Sequence, residues 1–139
     1  MKYIMILLFM FMSLYAKDIA IVKNVKGEVI LKTPDTYERV SSGTLLQSNM
    51  VLVTKDHSSA TIIFQDNSVL KLGPNAILNL KSFVFEPVEQ KFDFRLYLDK
   101  GSLSFESGKI GELSPESFEL KTPEGAVAIR GTKFFVKVQ

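Results

Sequence analysis

Arg130 is the residue that most invites a chemical reading, because it interrupts an apolar run. It stands in TPEGAVAIRGTKFFV, residues 122–136, between Ala126–Ile129 and Phe134–Val136. Its five guanidinium donors could hold an anion or tie backbone carbonyls together. No second basic residue converges on it in sequence, so a structural tie is the expected role. Val127 and Ile129 are odd-numbered, whereas Phe134, Val136 and Val138 are even. A regular strand would send these two sets to opposite faces. One extra residue at Gly131 restores a common face, so a bulge or sharp bend is expected there. Arg130 would then reach neighbouring carbonyls or a carboxylate such as Glu119 or Glu124, and Thr132 would cap the exposed backbone.

The remaining chemistry-bearing residues form no catalytic pattern. The single histidine, His57, lies in TKDHSS, and the chain has no cysteine, which removes thiol catalysis and Cys/His metal sites together. Glu86, Glu89, Glu106, Glu112, Glu116 and Glu119 come from polar or turn-like surroundings. None sits in an apolar run that would raise its pKa for acid–base work. The serines of DHSSA and ERVSSGT lack a nucleophile-elbow pattern and a base. No catalytic, cofactor-binding or metal-ligating residue is expected. Most aromatic residues alternate with polar ones as core residues do, and Tyr37 and Tyr97 remain as candidates for a contact surface.

The elements that would position these residues are strands. In KFDFRLYLDKG, Phe92, Phe94, Leu96 and Leu98 alternate with Lys91, Asp93, Arg95 and Tyr97, giving one buried and one wet face. Similar segments are read at residues 25–31, 45–53, 59–64, 69–72, 76–84, 103–105 and 118–120. Turn residues recur about every ten positions, as in all-β folds. Asp66-Asn67 predicts a tight hairpin, because Asn tolerates left-handed backbone. Residues 106–117 read as an extended surface loop, and no capped helical stripe is present. The start, MKYIMILLFMFMSLYAKD, predicts a signal peptide over residues 1–16 with cleavage after Ala16. The 17 basic and 15 acidic residues are interspersed, so no nucleic-acid-binding patch is expected.

Three segments in order resemble the FecR-type periplasmic domain family: SATIIFQDNSVLKLGPNAILNL, LDKGSLSF and FELKTPEGAVAIRGTKFFV. The family-motif positions are Gly73, Pro74 and Asn75, then Thr122, Pro123, Arg130, Gly131, Thr132 and Phe134, all expected to be structural. The resemblance covers residues 24–138. It implies an all-β domain of short antiparallel strands, in a solenoid-like roll or two-layer sandwich, following the signal helix. It also implies an envelope location. Familiar members carry a signal from an outer-membrane transporter to a sigma factor, through a cytoplasmic segment that precedes a membrane helix. Only Met1–Tyr3 precede the apolar stretch here, so the sigma-regulator role is not expected to carry over. A short, stand-alone member is expected, with fewer C-terminal strands than the family pattern.

The expectation is therefore a periplasmic or secreted, non-catalytic module over residues 17–139, with no stable membrane span after cleavage. Its partner would be another envelope protein, reached by a free strand edge. The alternative is an envelope carbohydrate- or peptidoglycan-binding module or enzyme.

Overall fold

The computed structural model describes residues 17–127 and 133–138. Twelve strands dominate it: β1 (Asp18–Lys26), β2 (Val29–Lys32), β3 (Tyr37–Arg39), β4 (Leu45–Gln47), β5 (Met50–Thr54), β6 (Ser59–Phe64), β7 (Val69–Leu72), β8 (Ile77–Glu86), β9 (Lys91–Glu106), β10 (Phe118–Thr122), β11 (Gly125–Val127) and β12 (Lys133–Val138). A short helix, α1 (Lys109–Leu113), and a 3-10 turn (Pro115–Ser117) join β9 to β10. The fold is all-β, as its alternating pattern predicts.

The strands form one sheet that curls into two layers sharing β9. The first layer runs β4-β1-β6-β7, then residues 101–106 of β9, then β12. The second runs β3-β2-β5-β8, then residues 91–100 of β9, then β10 and β11. All pairs are antiparallel except β9–β10. That parallel pair departs from the antiparallel expectation. It exists because the α1 segment carries the chain back along β9 before β10 begins.

Both inner faces close on one apolar core. Six phenylalanines form its centre. Phe94 is fully buried and lies 4.7 Å from Phe64, 4.8 Å from Phe83, 5.1 Å from Phe118 and 5.6 Å from Phe105, between ring centroids. Phe134 continues the stack, 5.4 Å from Phe105. Val127, Phe134 and Val136 all pack against this core. The bend expected at Gly131 lies outside the described residues, as do Arg130, Thr132 and the segment through Ala16 expected to be a leader.

The curl is made at a line of corners. Thr54, buried at the end of β5, donates its hydroxyl to the Gly73 carbonyl at 2.6 Å and accepts the Ala76 N–H at 2.9 Å. Ser58 accepts the Glu28 N–H at 2.9 Å. These hydroxyls satisfy backbone groups that leave the ladder where the chain turns from one layer to the other. Several expected segments are divided here. Residues 25–31 break at Gly27, and residues 45–53 break at Ser48-Asn49, where Asn49 has φ 68.

The segments read separately as KFDFRLYLDKG and residues 103–105 are one continuous strand, β9. Phe92, Phe94, Leu96 and Leu98 face the core from even positions, whereas Leu103 and Phe105 do so from odd ones. A register shift opposite Ile77 and Leu78, with Gly101 at φ 92, absorbs the change of parity. A Cβ on Gly101 would stand 2.5 Å from the Ala76 backbone. Gly101→Ala should therefore lower stability by about 1–3 kcal/mol, from left-handed strain and overpacking. A shift of the urea midpoint at constant slope checks this.

The segment read as a surface loop over residues 106–117 is anchored instead. Ile110 of α1 is buried, and Asp66, with no exposed surface, holds the segment down. Its carboxylate accepts Ser68 N–H at 3.0 Å, Ser68 Oγ–H at 2.7 Å and Ile110 N–H at 3.1 Å. The Asp66 carbonyl accepts Lys109 N–H at 2.8 Å, and Ser68 Oγ accepts Gly108 N–H at 2.9 Å.

Candidate interaction surface

Among the described residues, no cleft gathers reactive groups. His57 is exposed in a corner turn with φ 55, a backbone state suited to a turn. Among the described residues, no three His, Cys, Asp or Glu side chains could hold a metal ion. The carboxylates that might have paired for acid–base work are dispersed as surface ion pairs. Glu119 meets Lys121 at 3.1 Å, and Asp93 meets Arg95 at 3.0 Å while accepting the Ser82 hydroxyl at 2.8 Å. Exposed pairs of this kind contribute little to stability. The Glu116 backbone N–H and the Ser114 hydroxyl hold the Glu116 carboxyl below its usual range, opposite to what a general acid needs. Asp66 is buried, but each of its contacts serves the hairpin and α1.

The motif residues outside positions 128–132 take up turn and core positions. Gly73 donates its N–H to the Ser102 carbonyl at 2.8 Å, Pro74 is exposed, and Asn75 adopts φ 52 with its N–H on the Lys55 carbonyl at 3.2 Å. These three build the corner between β7 and β8. Thr122 accepts the Glu124 N–H at 3.2 Å and donates to the Gly125 carbonyl at 3.1 Å, which closes the β10–β11 turn around exposed Pro123. Phe134 lies in the phenylalanine stack. Arg130 with its candidate partners Glu119 and Glu124 cannot be placed, since the arginine is outside the described residues.

The two tyrosines come together in register. Tyr37 pairs with Lys32, Lys32 with Val51, Val51 with Asn79, Asn79 with Tyr97, and Tyr97 with Lys121. Cross-strand partners share a face, so these six side chains form one row across the outside of the second layer. With neighbouring strands about 4.8 Å apart, Tyr37 and Tyr97 stand roughly 19 Å apart along it. Each ring has a lysine over it: Lys32 Nζ is 5.4 Å from the Tyr37 centroid, and Lys81 Nζ is 5.9 Å from that of Tyr97. Neither lysine has an acidic partner among the described residues. Lys81, Arg95, Tyr97, Glu119 and Lys121 line a shallow hollow of about 350 Å³.

The sequence singles out the two tyrosines as candidates but does not point to the lysines over their rings. Lys81 occupies the β8 register shift between Leu80 and Ser82, which swings it toward Tyr97. No local pattern announces that shift.

The geometry thus defines a layered β-domain whose described residues present a row of polar and aromatic groups on an open outer face. The chain belongs to the FecR protein family, which matches residues 50–139, from β5 to the end. This family is regulatory, non-enzymatic and associated with the envelope. β1 to β4 precede the matched span yet complete both layers. No curated protein and no solved structure matches the chain significantly. No helix of the described residues is long and apolar enough to cross a membrane.

Proposed function

We propose that this protein is an exported, non-catalytic interaction module that docks onto another envelope protein in a signalling pathway. The observation that carries this reading is the outer row from Tyr37 through Lys32, Val51, Asn79 and Tyr97 to Lys121. Tyrosine is prominent among interface hot spots because it contributes large contact area at small entropic cost. Lys32 and Lys81, which have no acidic partner among the described residues, add a preference for an acidic partner surface. The apolar leader and the envelope association of the family support export, with the mature chain starting at Lys17.

Capture from envelope extract by immobilised residues 17–139 tests the proposal. A specific partner should be retained, and Tyr97→Ala should weaken it about 30-fold, the effect of a 2 kcal/mol hot spot. Tyr37→Ala should weaken it less, and both variants should melt as the parent does. Retention indifferent to both substitutions would remove the row from the reading. Tight binding to peptidoglycan or glycans, or their turnover, would replace it with the carbohydrate alternative.

A further inference from the structure

We infer that the outer face of the first layer, across β4, β1, β6 and β7, is a contact surface for an anionic lipid bilayer. This goes beyond the docking reading, because it concerns the face opposite the tyrosine row.

A solvated sheet face carries polar side chains between the buried ones. Here the outer positions are apolar as well. Leu45 pairs with Ile21, Ile21 with Ile63, and Ile63 with Val69, so aliphatic side chains form one row across these strands. At about 4.8 Å between strands, the row is roughly 14 Å long. Leu45 is 52% exposed and Ile21 40%, while Ile63 and Val69 are half-buried. Leu45, Ile21 and Ile63 border a hollow of about 270 Å³, with Ala20 and Phe64 in its lining and Asp18 at its rim. The sequence carries the signal. Ile19–Val22 and Ile62–Phe64 are unbroken apolar runs, which a strand wet on one face does not need.

Charge selects the partner. The next row on the same face is Asn24, Thr61, Lys71 and Ser104, and beyond it Lys26 pairs with Ser59. Lys23 is exposed at the β1 bulge between Val22 and Asn24. Lys23, Lys26 and Lys71 have no acidic partner among the described residues. The acids nearby are Asp18, which accepts Gln47 Nε2–H at 3.2 Å, and Glu106, beyond Val69 in the apolar row. Aliphatic side chains beside lysines and hydroxyls match a bilayer surface. The aliphatics enter the headgroup boundary, and the lysines reach phosphates while their stems lie on apolar surface. A protein partner fits less well, since the row has no Tyr, Trp or Arg anchor. The family's association with the envelope puts a bilayer within reach. The two layers pack through their inner faces, so a domain lying on lipid by the first would hold the tyrosine row toward solvent.

The test uses the chain as purified from the envelope, with vesicles of phosphatidylcholine alone or with about one-third phosphatidylglycerol. Co-sedimentation should be stronger with the anionic vesicles. Lys26→Gln with Lys71→Gln should weaken it about 30-fold, the attraction of two lysines to an anionic surface. Leu45→Glu should abolish it without shifting the melting curve. The chain has no cysteine, so a single polarity-sensitive dye can be placed at will. On Leu45→Cys it should shift to the blue with anionic vesicles, and on Val51→Cys, in the tyrosine row, it should not. Equal binding to both vesicles, no binding, or a shift at position 51 would overturn the inference. A dimer lost in Leu45→Glu would assign the row to a second copy, and protein capture lost in that variant without lipid binding would assign it to a protein. A dye at position 45 already blue without vesicles, and reverting when residues 1–16 are removed, would assign it to that segment. If lipid binding fails while Tyr97-dependent capture persists, the docking reading stands and only this inference falls.

Discussion

Phe94→Ala should lower the stability of the domain by about 3–5 kcal/mol, the range for deleting a buried aromatic ring. Phe94 is the common neighbour of Phe64 from the first layer, Phe83 and Phe118 from the second, and Phe105 beyond the β9 bend. Its loss opens a cavity where both layers meet. The rigid β9 backbone, paired on both sides, cannot collapse to fill it. Phe92→Ala is the matched control, because Phe92 sits two residues away on the same face but is only partly buried and contacts Phe85 at 6.1 Å. Urea unfolding should separate the two variants by at least 1 kcal/mol. Equal effects would show that the phenylalanine stack has no single hub.

Asp66→Ala should cost about 3–5 kcal/mol for a different reason. It strips the acceptors from Ser68 N–H and Ile110 N–H and leaves both donors in a buried site. Each unsatisfied donor carries a penalty of about 1–3 kcal/mol. The change also frees a helix of only five residues, too short to persist without tertiary support. Amide exchange in residues 107–117 should therefore accelerate more than exchange in β6 or β8. Asp66→Asn should recover part of the loss, since an amide oxygen can still accept one N–H while its NH₂ group cannot. Uniform acceleration across the domain would mean that α1 does not open separately.

The two variants mark what the sequence could and could not disclose. Period-two alternation made β9, β6 and β7 readable, because side-chain direction in a strand follows the chain itself. Phe94 could be assigned to the core on that basis alone. Asp66 was read only as a hairpin residue, since the N–H groups it accepts from α1 lie more than 40 positions away. The same distance problem hid the Tyr37–Tyr97 row, whose register emerges only after five strands have paired. A glycine device was anticipated at Gly131 for the step between Ile129 and Phe134, which lies outside the described residues. A separate one that was not anticipated stands at Gly101, where Leu98 and Leu103 both face the core. The segment with two glycines and a proline was taken for a loose loop because composition records backbone freedom but not the carboxylate that removes it.

One consequence of the shared strand concerns force. Residues 91–100 and 101–106 of β9 are a single covalent line, with β8 and β10 laced to one stretch and β7 and β12 to the other. A pull directed along β12 would load that lacing in shear, so many hydrogen bonds would resist together. A partner tugging on one layer would thus move the other with it, and the domain would transmit tension as one piece before it yielded.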